Sequence, residues 1–347
     1  MKLTNANPKY VALILVCAAL LAPALRAEDT PYKVIKKIPL GGDGGWDYLL
    51  ADAANRKLYI ARNDRIMIVD MDTEKLTSEI TGIDGAHGVA IVPELQRAFL
   101  TSGRDATVRV VDLKTLKETD RLKAGPKADA IVYEPVTKRV FAFNNQITSA
   151  TVIDAAKTKV ESELELGGNP EFGVTDGKGT IFVNLEDKSE IAVIDAATLK
   201  VTAHWPLTPG ASPTGLALDV AHHRLFSGCR ESKTLVVVDS ENGKVIASLP
   251  IGAGVDAVAF DPDTQNAFSS NGDGTVTIVH EDDPATFKVT QTLETASGAR
   301  TCTLDTKTHR LWLVTAETQP APNDTVEQNR QHRVIVPGSF SAIVVGK

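Results

Sequence analysis

The segment TLVVVD, residues 234–239, decides the fold of this chain because near copies of it recur along the sequence. The copies are IMIVD (66–70), VRVVD (108–112), ATVID (150–154), IAVID (191–195) and the degenerate VTIVH (276–280). Their closing residues are spaced by 42, 42, 41, 44 and 41 residues, at Asp70, Asp112, Asp154, Asp195, Asp239 and His280. Short β-branched runs at such a constant spacing indicate a repeat protein.

Each unit also contains three further short runs rich in Val, Ile, Leu, Thr and Phe. Around Asp239 they read TGLALD (214–219), RLFSGC (224–229) and KVIASLPIG (244–252). Clusters of Asp, Gly, Asn and Pro separate these runs, as turns separate strands. Four strands in about 42 residues is the period of a propeller blade, and no helical periodicity competes with it. The sequence therefore predicts an all-β propeller of four-stranded blades.

The two ends of the repeat array predict seven blades and a closed ring. The last unit contains TCTLD (301–305), RLWLVT (310–315) and FSAIVV (340–345), but it has no fourth strand. The segment YKVIKKIPLGG (32–42) matches GKVIASLPIGA (243–253), which is an outer strand. We therefore predict that residues 32–39 pair with residues 340–345 and remove the open edge of the last blade. Residues 28–347 then form one domain.

The second run of each unit resembles the YVTN repeat. The seven copies are LYIARN (58–63), AFLTSG (98–103), VFAFNN (140–145), IFVNLE (181–186), LFSGCR (225–230), AFSSNG (267–272) and LWLVTA (311–316). Over residues 32–347 the chain resembles the exported seven-bladed YVTN, or YncE-like, propeller family. The resemblance implies a periplasmic or surface propeller and supplies no catalytic motif. Relatives by fold include lactonases and subunits of periplasmic dehydrogenases, which is an analogy.

Residues 1–27 have the features of a secretory signal peptide. Lys2 and Lys9 lie around its start, and an apolar run at 11–21 leads to small residues that include Ala24 and Ala27. Because a membrane-spanning helix needs about 20 apolar residues, this run predicts export without a membrane span. We predict cleavage after Ala27, with Ala24 as the alternative, and a periplasmic or secreted location.

The acidic net charge bears on the partners of this chain, and the spacing of Cys229 and Cys302 bears on whether they form a disulfide. The chain has 37 Lys and Arg against 44 Asp and Glu, and an acidic chain without a basic stripe is an unlikely nucleic-acid binder. Cys229 and Cys302 fall two blades apart, too far for a disulfide, whose Cα atoms lie within about 7 Å. We expect a monomer whose partner is a small molecule or a protein.

Two rings of polar residues are predicted to converge in a funnel at one face of the propeller. The residues that open the inner strands are Asp47, His87, Asp129, Glu171, Thr214, Asp256 and Arg300. The residues that end the second strands are Arg62, Ser102, Asn144, Asn184, Cys229, Asn271 and Thr315. Converging carboxylates attract cations, so the funnel is predicted to bind a divalent cation, a polar small molecule or a protein. The alternative is a wet channel mouth that binds nothing.

Other polar residues are predicted to be structural. The aspartates that close the third strands precede turns such as DSENGK (239–244), where their side chains bond the backbone. His222, His223 and His309 are predicted to be exposed turn residues. Residues 317–337 are predicted to form a long loop without regular structure, a lid or a docking loop, with positive charge from Arg330, His332 and Arg333.

Three functions follow from this sequence, in order of preference. The first is an exported binding or scaffold protein without catalysis. The second is a lactonase-like or metal-dependent hydrolase that uses His87, Glu171 and Arg300 as an acid–base and oxyanion set. The third is nucleic-acid binding, which the acidic charge opposes.

Overall fold

The computed structural model describes residues 30–321 and 333–347, and the chain forms an all-β ring over Tyr32–Lys347. Seven four-stranded sheets make up the ring, so the predicted fold class is confirmed. Within the described residues the only helical element is a 3-10 turn at Pro93–Leu95, and no helix there is long and apolar enough to cross a membrane. The predicted signal peptide at residues 1–27 lies outside the described residues.

Six blades follow one another along the chain, and each runs from an inner strand to an outer strand. The first strand, β1 (Lys33–Pro39), belongs to the seventh blade. Blade one is β2 (Trp46–Asp52), β3 (Lys57–Arg62), β4 (Arg65–Asp70) and β5 (Lys75–Thr81). Blade two is β6 (Ala86–Val92), β7 (Arg97–Ser102), β8 (Thr107–Asp112) and β9 (Glu118–Lys123). Blade three is β10 (Ala128–Glu134), β11 (Arg139–Asn144), β12 (Ser149–Asp154) and β13 (Lys159–Glu165).

The next three blades repeat this arrangement. Blade four is β14 (Pro170–Thr175), β15 (Thr180–Leu185), β16 (Glu190–Asp195) and β17 (Lys200–Pro206). Blade five is β18 (Pro213–Asp219), β19 (Arg224–Cys229), β20 (Thr234–Asp239) and β21 (Val245–Pro250). Blade six is β22 (Val255–Asp261), β23 (Asn266–Asn271), β24 (Thr275–Asp283) and β25 (Thr286–Glu294).

Blade seven joins the first described strand to the last. It consists of β26 (Cys302–Asp305), β27 (Arg310–Thr315), β30 (Ser341–Gly346) and β1, in that order from the centre outward. β1 runs antiparallel to β30, with Lys33 opposite Gly346 and Pro39 opposite Ser341. The predicted pairing is confirmed, and β30 has a partner on both of its edges.

The third strands read as continuous apolar runs because both faces of each blade are covered by neighbouring blades. In β20 the residues Leu235, Val236, Val237 and Val238 are all completely buried. Buried apolar residues form seven clusters, one at each interface between neighbouring blades. The outer strands instead alternate between exposed and partly buried residues, as β13 does, because they have solvent on one side.

The turn aspartates have the structural role predicted for them. Asp70 Oδ1 accepts hydrogen bonds from the Thr73 amide at 2.9 Å and from the Thr73 hydroxyl at 3.0 Å. Asp112 Oδ1 accepts the Thr115 amide at 2.7 Å, and this bond holds the pKa of Asp112 below its ordinary value. These carboxylates complete turns after the third strands.

Within the described residues the cysteines are Cys229 and Cys302; both are buried, and both are free, as the blade separation predicts. Burial raises the pKa of Cys229 to about 11 and that of Cys302 to about 12. Both thiols are therefore protonated at neutral pH, and neither is a nucleophile.

The segment at 317–337 is partly ordered, which corrects the expectation of a loop without regular structure. β28 (Thr318–Pro320) and β29 (Arg333–Ile335) pair as an antiparallel ribbon. Ile335 packs on the cluster between blades one and seven, so the base of the ribbon is anchored to the ring. Arg333 donates to Thr318 along the ribbon, while Arg330 and His332 lie outside the described residues.

Candidate functional site

The repeat places the funnel residues at equivalent positions. Asp47, His87, Asp129, Glu171 and Asp256 are each the second residue of an inner strand. The inner strands contact one another in cyclic order around the channel. The second residues therefore meet at one end of the channel, where the sequence analysis placed the funnel.

A histidine lies between two aspartates where blades one, two and three meet. His87 Nδ1 is 2.6 Å from Asp47 Oδ2 and 3.4 Å from Asp129 Oδ1. Burial alone would lower the pKa of His87, but its bond to Asp47 and the charge of Asp129 raise it. We call Asp47, His87 and Asp129 the funnel trio, and one ligand atom from each lies within 4.8 Å of the others.

Glu171 of blade four extends this acidic side of the funnel. Its carboxylate accepts hydrogen bonds from Asn145 Nδ2 at 2.9 Å and from the Tyr48 hydroxyl at 3.4 Å, both neutral donors. Burial and repulsion by Asp129 raise the pKa of Glu171 to about 9. Burial also raises the pKa of Asp129 to about 7, although His87 opposes this. The buried Asp129 carboxyl therefore acts electrostatically on the half-buried Glu171 carboxyl, whose hydrogen-bond donors among the described residues are neutral.

The opposite side of the funnel is ion-paired. Arg300 Nε donates to Asp256 Oδ2 at 2.8 Å, and Arg230 donates to the other carboxylate oxygen. Arg230 also lies 3.4 Å from Glu186. Burial raises the pKa of Asp256, although both guanidiniums oppose it. This side therefore balances its own charges; the sequence analysis placed Arg300 and Asp256 in the funnel but did not include Arg230 or Glu186.

The three predicted catalytic candidates do not form one constellation. His87 contacts Asp47, Glu171 contacts Asn145, and Arg300 contacts Asp256. In the described part of the chain none of the three hydrogen-bonds to another. Each of the three predicted catalytic side chains therefore has its own hydrogen-bond partner in the described structure.

The second predicted ring does not face the funnel. Arg62, Asn144, Asn184 and Asn271 are completely buried. Arg62 donates to carbonyls of the 41–45 loop and stacks on Phe340, 3.6 Å from the ring centroid. The amides of the three asparagines donate to strand residues or to a neighbouring blade. The other members of the second ring are also buried, namely Ser102, Cys229 and Thr315. Thr214 of the first ring is buried too.

The residue that follows each second strand supplies the true second ring, because side chains alternate in direction along a strand. Asn145, Glu186 and Arg230 occupy these positions and contact Glu171 or Asp256. Shifting the predicted ring by one residue would have found them from the sequence. In blade four the second strand ends at Leu185, which pairs with Pro170, and not at Asn184. The predicted position must therefore be moved by two residues there to reach Glu186.

Tyr48 closes the funnel from below. Its ring extends from blade one and makes an edge contact with Phe172 of blade four, with ring centroids 5.1 Å apart. Blades one and four are not neighbours, so the side chain crosses the channel. Farther along the inner strands is a more apolar cavity of about 790 Å³, lined by residues that include Leu50, Ile91 and Ile131. Tyr48 is therefore the floor of a one-sided site.

Comparisons with known proteins identify no family for this chain. No family model and no curated protein matches this chain. Among solved structures, it is similar to the Kuenenia stuttgartiensis hydrazine synthase, with 16% identity and a TM-score of 0.49 over 74% of this chain and 99% of that one. A match at this level carries no function. The protein belongs to the class of seven-bladed propellers, and the resemblance to the YVTN family stays a prediction.

Proposed function

We propose that this protein is an exported binding protein whose funnel binds a cation through Asp129, Glu171 and Asp47, without chemistry of its own. The observation that carries the proposal is the pair of carboxyls of Asp129, which is buried, and of Glu171, which is half-buried. Asp129 lies beside His87, which also contacts Asp47. Glu171 accepts hydrogen bonds from the Asn145 amide and the Tyr48 hydroxyl. The nearby Arg230 and Arg300 are committed to Asp256.

A bound cation would add positive charge beside Asp129 and Glu171, where Lys127 acts on Asp129 but donates its own hydrogen bond to Asn145 Oδ1 at 2.8 Å. Burial and repulsion by Asp129 raise the pKa of Glu171, whereas burial and repulsion by Asp47 raise the pKa of Asp129. A positive ligand opposes these effects because it favours the ionised carboxylates. Carboxylate oxygens suit Ca²⁺ and Mg²⁺, and they suit an organic ammonium equally well. The common requirement is positive charge, and Asn145 and Tyr48 hold the Glu171 oxygens in place.

Thermal unfolding with CaCl₂, MgCl₂ or the diamine putrescine, at constant ionic strength, tests this function. A ligand at a hundredfold excess over Kd stabilises by about 2.7 kcal/mol, and the metal and amine arms identify which cation is bound. The double variant Asp129→Asn with Glu171→Gln should lose the response. Glu134→Gln removes a buried carboxylate from the other end of the same strand, β10, and should keep it.

Two outcomes would change the proposal. If none of the cations stabilises the protein, or the double variant responds like the parent, the funnel is only a channel mouth. If chromogenic esters or lactones are turned over, and His87→Asn abolishes the turnover, the hydrolase alternative replaces it. That alternative rests on Asp47 orienting His87 as a base.

The exported location is part of the proposal and rests on residues 1–27. Expression in a bacterial host followed by intact mass measurement of the periplasmic fraction tests it. We expect a chain that begins at Glu28, or at Leu25 for the alternative site. A full-length chain confined to the cytoplasm would refute export and leave the cation site untouched.

A further inference from the structure

A second cluster of two carboxylates and a histidine lies at the interface of blades five and six, where the inner strands end. Asp219 is the last residue of β18, His222 lies in the turn that follows, and Glu281 lies in β24. His222 Nδ1 is 2.8 Å from Asp219 Oδ2 and 3.1 Å from Glu281 Oε1. We call these three residues the rim trio, because the turns after the inner strands lie on the face opposite the funnel.

Four polar atoms of the rim trio are buried and lack a hydrogen bond of good geometry. Asp219 is 1% exposed and Glu281 is 3% exposed. Asp219 Oδ2 and both carboxylate oxygens of Glu281 accept no hydrogen bond. His222 Nδ1 is close to two oxygens, yet neither lies where an Nδ1–H group could donate to it. Burying such groups without partners is costly, so a ligand common to all three would account for the arrangement.

Glu281 is also a departure from the repeat. It follows the residue that closes the third strand, a position that is apolar or small in the five preceding units. There the residues are Met71, Leu113, Ala155, Ala196 and Ser240. A carboxylate at this one copy faces the preceding blade, where Asp219 and His222 lie. The repeat architecture therefore does not require Glu281.

At the neighbouring interface of blades six and seven, the aspartate that corresponds to Asp219 is hydrogen-bonded to a histidine. His309 Nδ1 hydrogen-bonds Asp261 at 3.0 Å. Asp261 also accepts the Asp263 amide at 3.1 Å and the Thr264 hydroxyl at 2.9 Å. Asp219, in contrast, has its own turn amide on Oδ1, and its Oδ2 points at His222 without a bond.

We propose that the rim trio binds a divalent transition-metal ion of the Zn²⁺ type, through one oxygen each of Asp219 and Glu281 and through Nδ1 of His222. Imidazole nitrogen with carboxylate oxygen is a Zn²⁺ ligand set, and three protein ligands leave one position for water. Ligand atoms around tetrahedral Zn²⁺ are about 3.4 Å apart, and the three residues offer atoms within 4.8 Å of one another.

The surroundings of the trio are compatible with a metal. The His222 side chain is 38% exposed, whereas its Nδ1 atom and the carboxylate oxygens that it faces are buried. Arg224 is the nearby cation that acts on Glu281, but its guanidinium is directed to Asp239 at 3.4 Å and to the Pro284 carbonyl at 2.7 Å. It therefore does not occupy the position between the three ligand atoms.

The test is carried out in a protein whose funnel carries Asp129→Asn and Glu171→Gln, so that it does not depend on the proposed function. Unfolding is followed with ZnCl₂ or MgCl₂, and stoichiometry is measured by titration calorimetry. We expect one Zn²⁺ per chain, a rise of about 5 °C at a hundredfold excess over Kd, and no effect of Mg²⁺. Co²⁺ in place of Zn²⁺ should give visible d–d absorption.

Two variants decide the assignment. Glu281→Gln keeps the shape of the side chain and removes its charge, and it should abolish the Zn²⁺ response and the Co²⁺ absorption. His222→Asn should do the same if Glu281→Gln fails to fold. His309→Asn is the matched control and should leave both signals unchanged. Absence of stoichiometric Zn²⁺ binding, or binding that survives both rim variants, would overturn the proposal.

Discussion

The funnel trio and the rim trio contain the same groups, an imidazole between two carboxylates, but they differ in how the imidazole is oriented. In the funnel, His87 makes a 2.6 Å contact with Asp47 in hydrogen-bond geometry. At the rim, His222 lies as near to Asp219 and Glu281, and neither contact has that geometry. The same three groups therefore occur in two arrangements, one with the imidazole hydrogen-bonded to a carboxylate and one without.

The two trios also arise differently from the repeat. The funnel trio takes one residue from the same position in each of three blades, so the ring symmetry brings it together. The rim trio depends on Glu281, which one copy carries against the pattern of the others. In a repeat protein, sites form both where equivalent positions converge and where a single copy deviates.

The largest effect that separates the trios is the dependence of stability on pH without metal. Folding raises the pKa of Asp129 to about 7, of Glu171 to about 9 and of Glu281 to about 7. A carboxyl with a raised folded-state pKa binds its proton more tightly in the folded state. Its contribution is full below the ordinary carboxyl range and is lost as pH rises through the folded value.

We therefore expect the metal-free protein to lose stability on the order of 3 kcal/mol between pH 5 and pH 9. Chemical denaturation in EDTA at four pH values measures this. Glu281→Gln should remove the part of this stability loss that is complete near pH 7. Glu171→Gln should remove the part of the loss that continues to pH 9. If the stability of both variants changes equally with pH, Glu281 and Glu171 titrate alike and the expected difference between the rim trio and the funnel is absent.

A smaller effect is expected from two substitutions that should change the free energy of unfolding in opposite directions. Glu281→Leu replaces an unpartnered buried carboxylate with the kind of residue that other blades carry, and should stabilise the metal-free protein by about 2 kcal/mol. His87→Ala removes the hydrogen-bond partner of Asp47 and the imidazole beside Asp129, and it should destabilise by about 1–2 kcal/mol. Equilibrium unfolding in urea compares them, and the same sign for both would contradict the difference in pairing.

The smallest effect is expected at the satisfied histidine of the neighbouring interface. His309→Ala removes one hydrogen bond from Asp261, which keeps its bonds to Asp263 and Thr264. Because His309 is 39% exposed, the cost should be about 1 kcal/mol or less. A larger loss in the melting experiment would mean that the pair is more tightly coupled than its hydrogen bonds indicate.

The sequence predicts the repeat-wide features well. Blade number, closure by β1 and the register of the inner strands follow from spacing, because each copy confirms the others. The second ring fails at Arg62 because one residue of error turns a side chain from the funnel into the interface between blades. The ion pairs of Arg230 with Asp256 and Glu186 join three blades, so their distances depend on packing that no single repeat encodes.

The closure of blade seven also fixes an order of events as the chain is made. β1 is synthesised first among the described strands, but its partner β30 follows six complete blades later. Each earlier blade consists of consecutive strands and can form locally, whereas Pro39 has no partner until Ser341 exists. Lys33, Lys36 and Lys37 make β1 a charged strand, and charged edges resist pairing with other chains. A nascent chain can thus keep this strand unpaired without aggregation until the ring is complete.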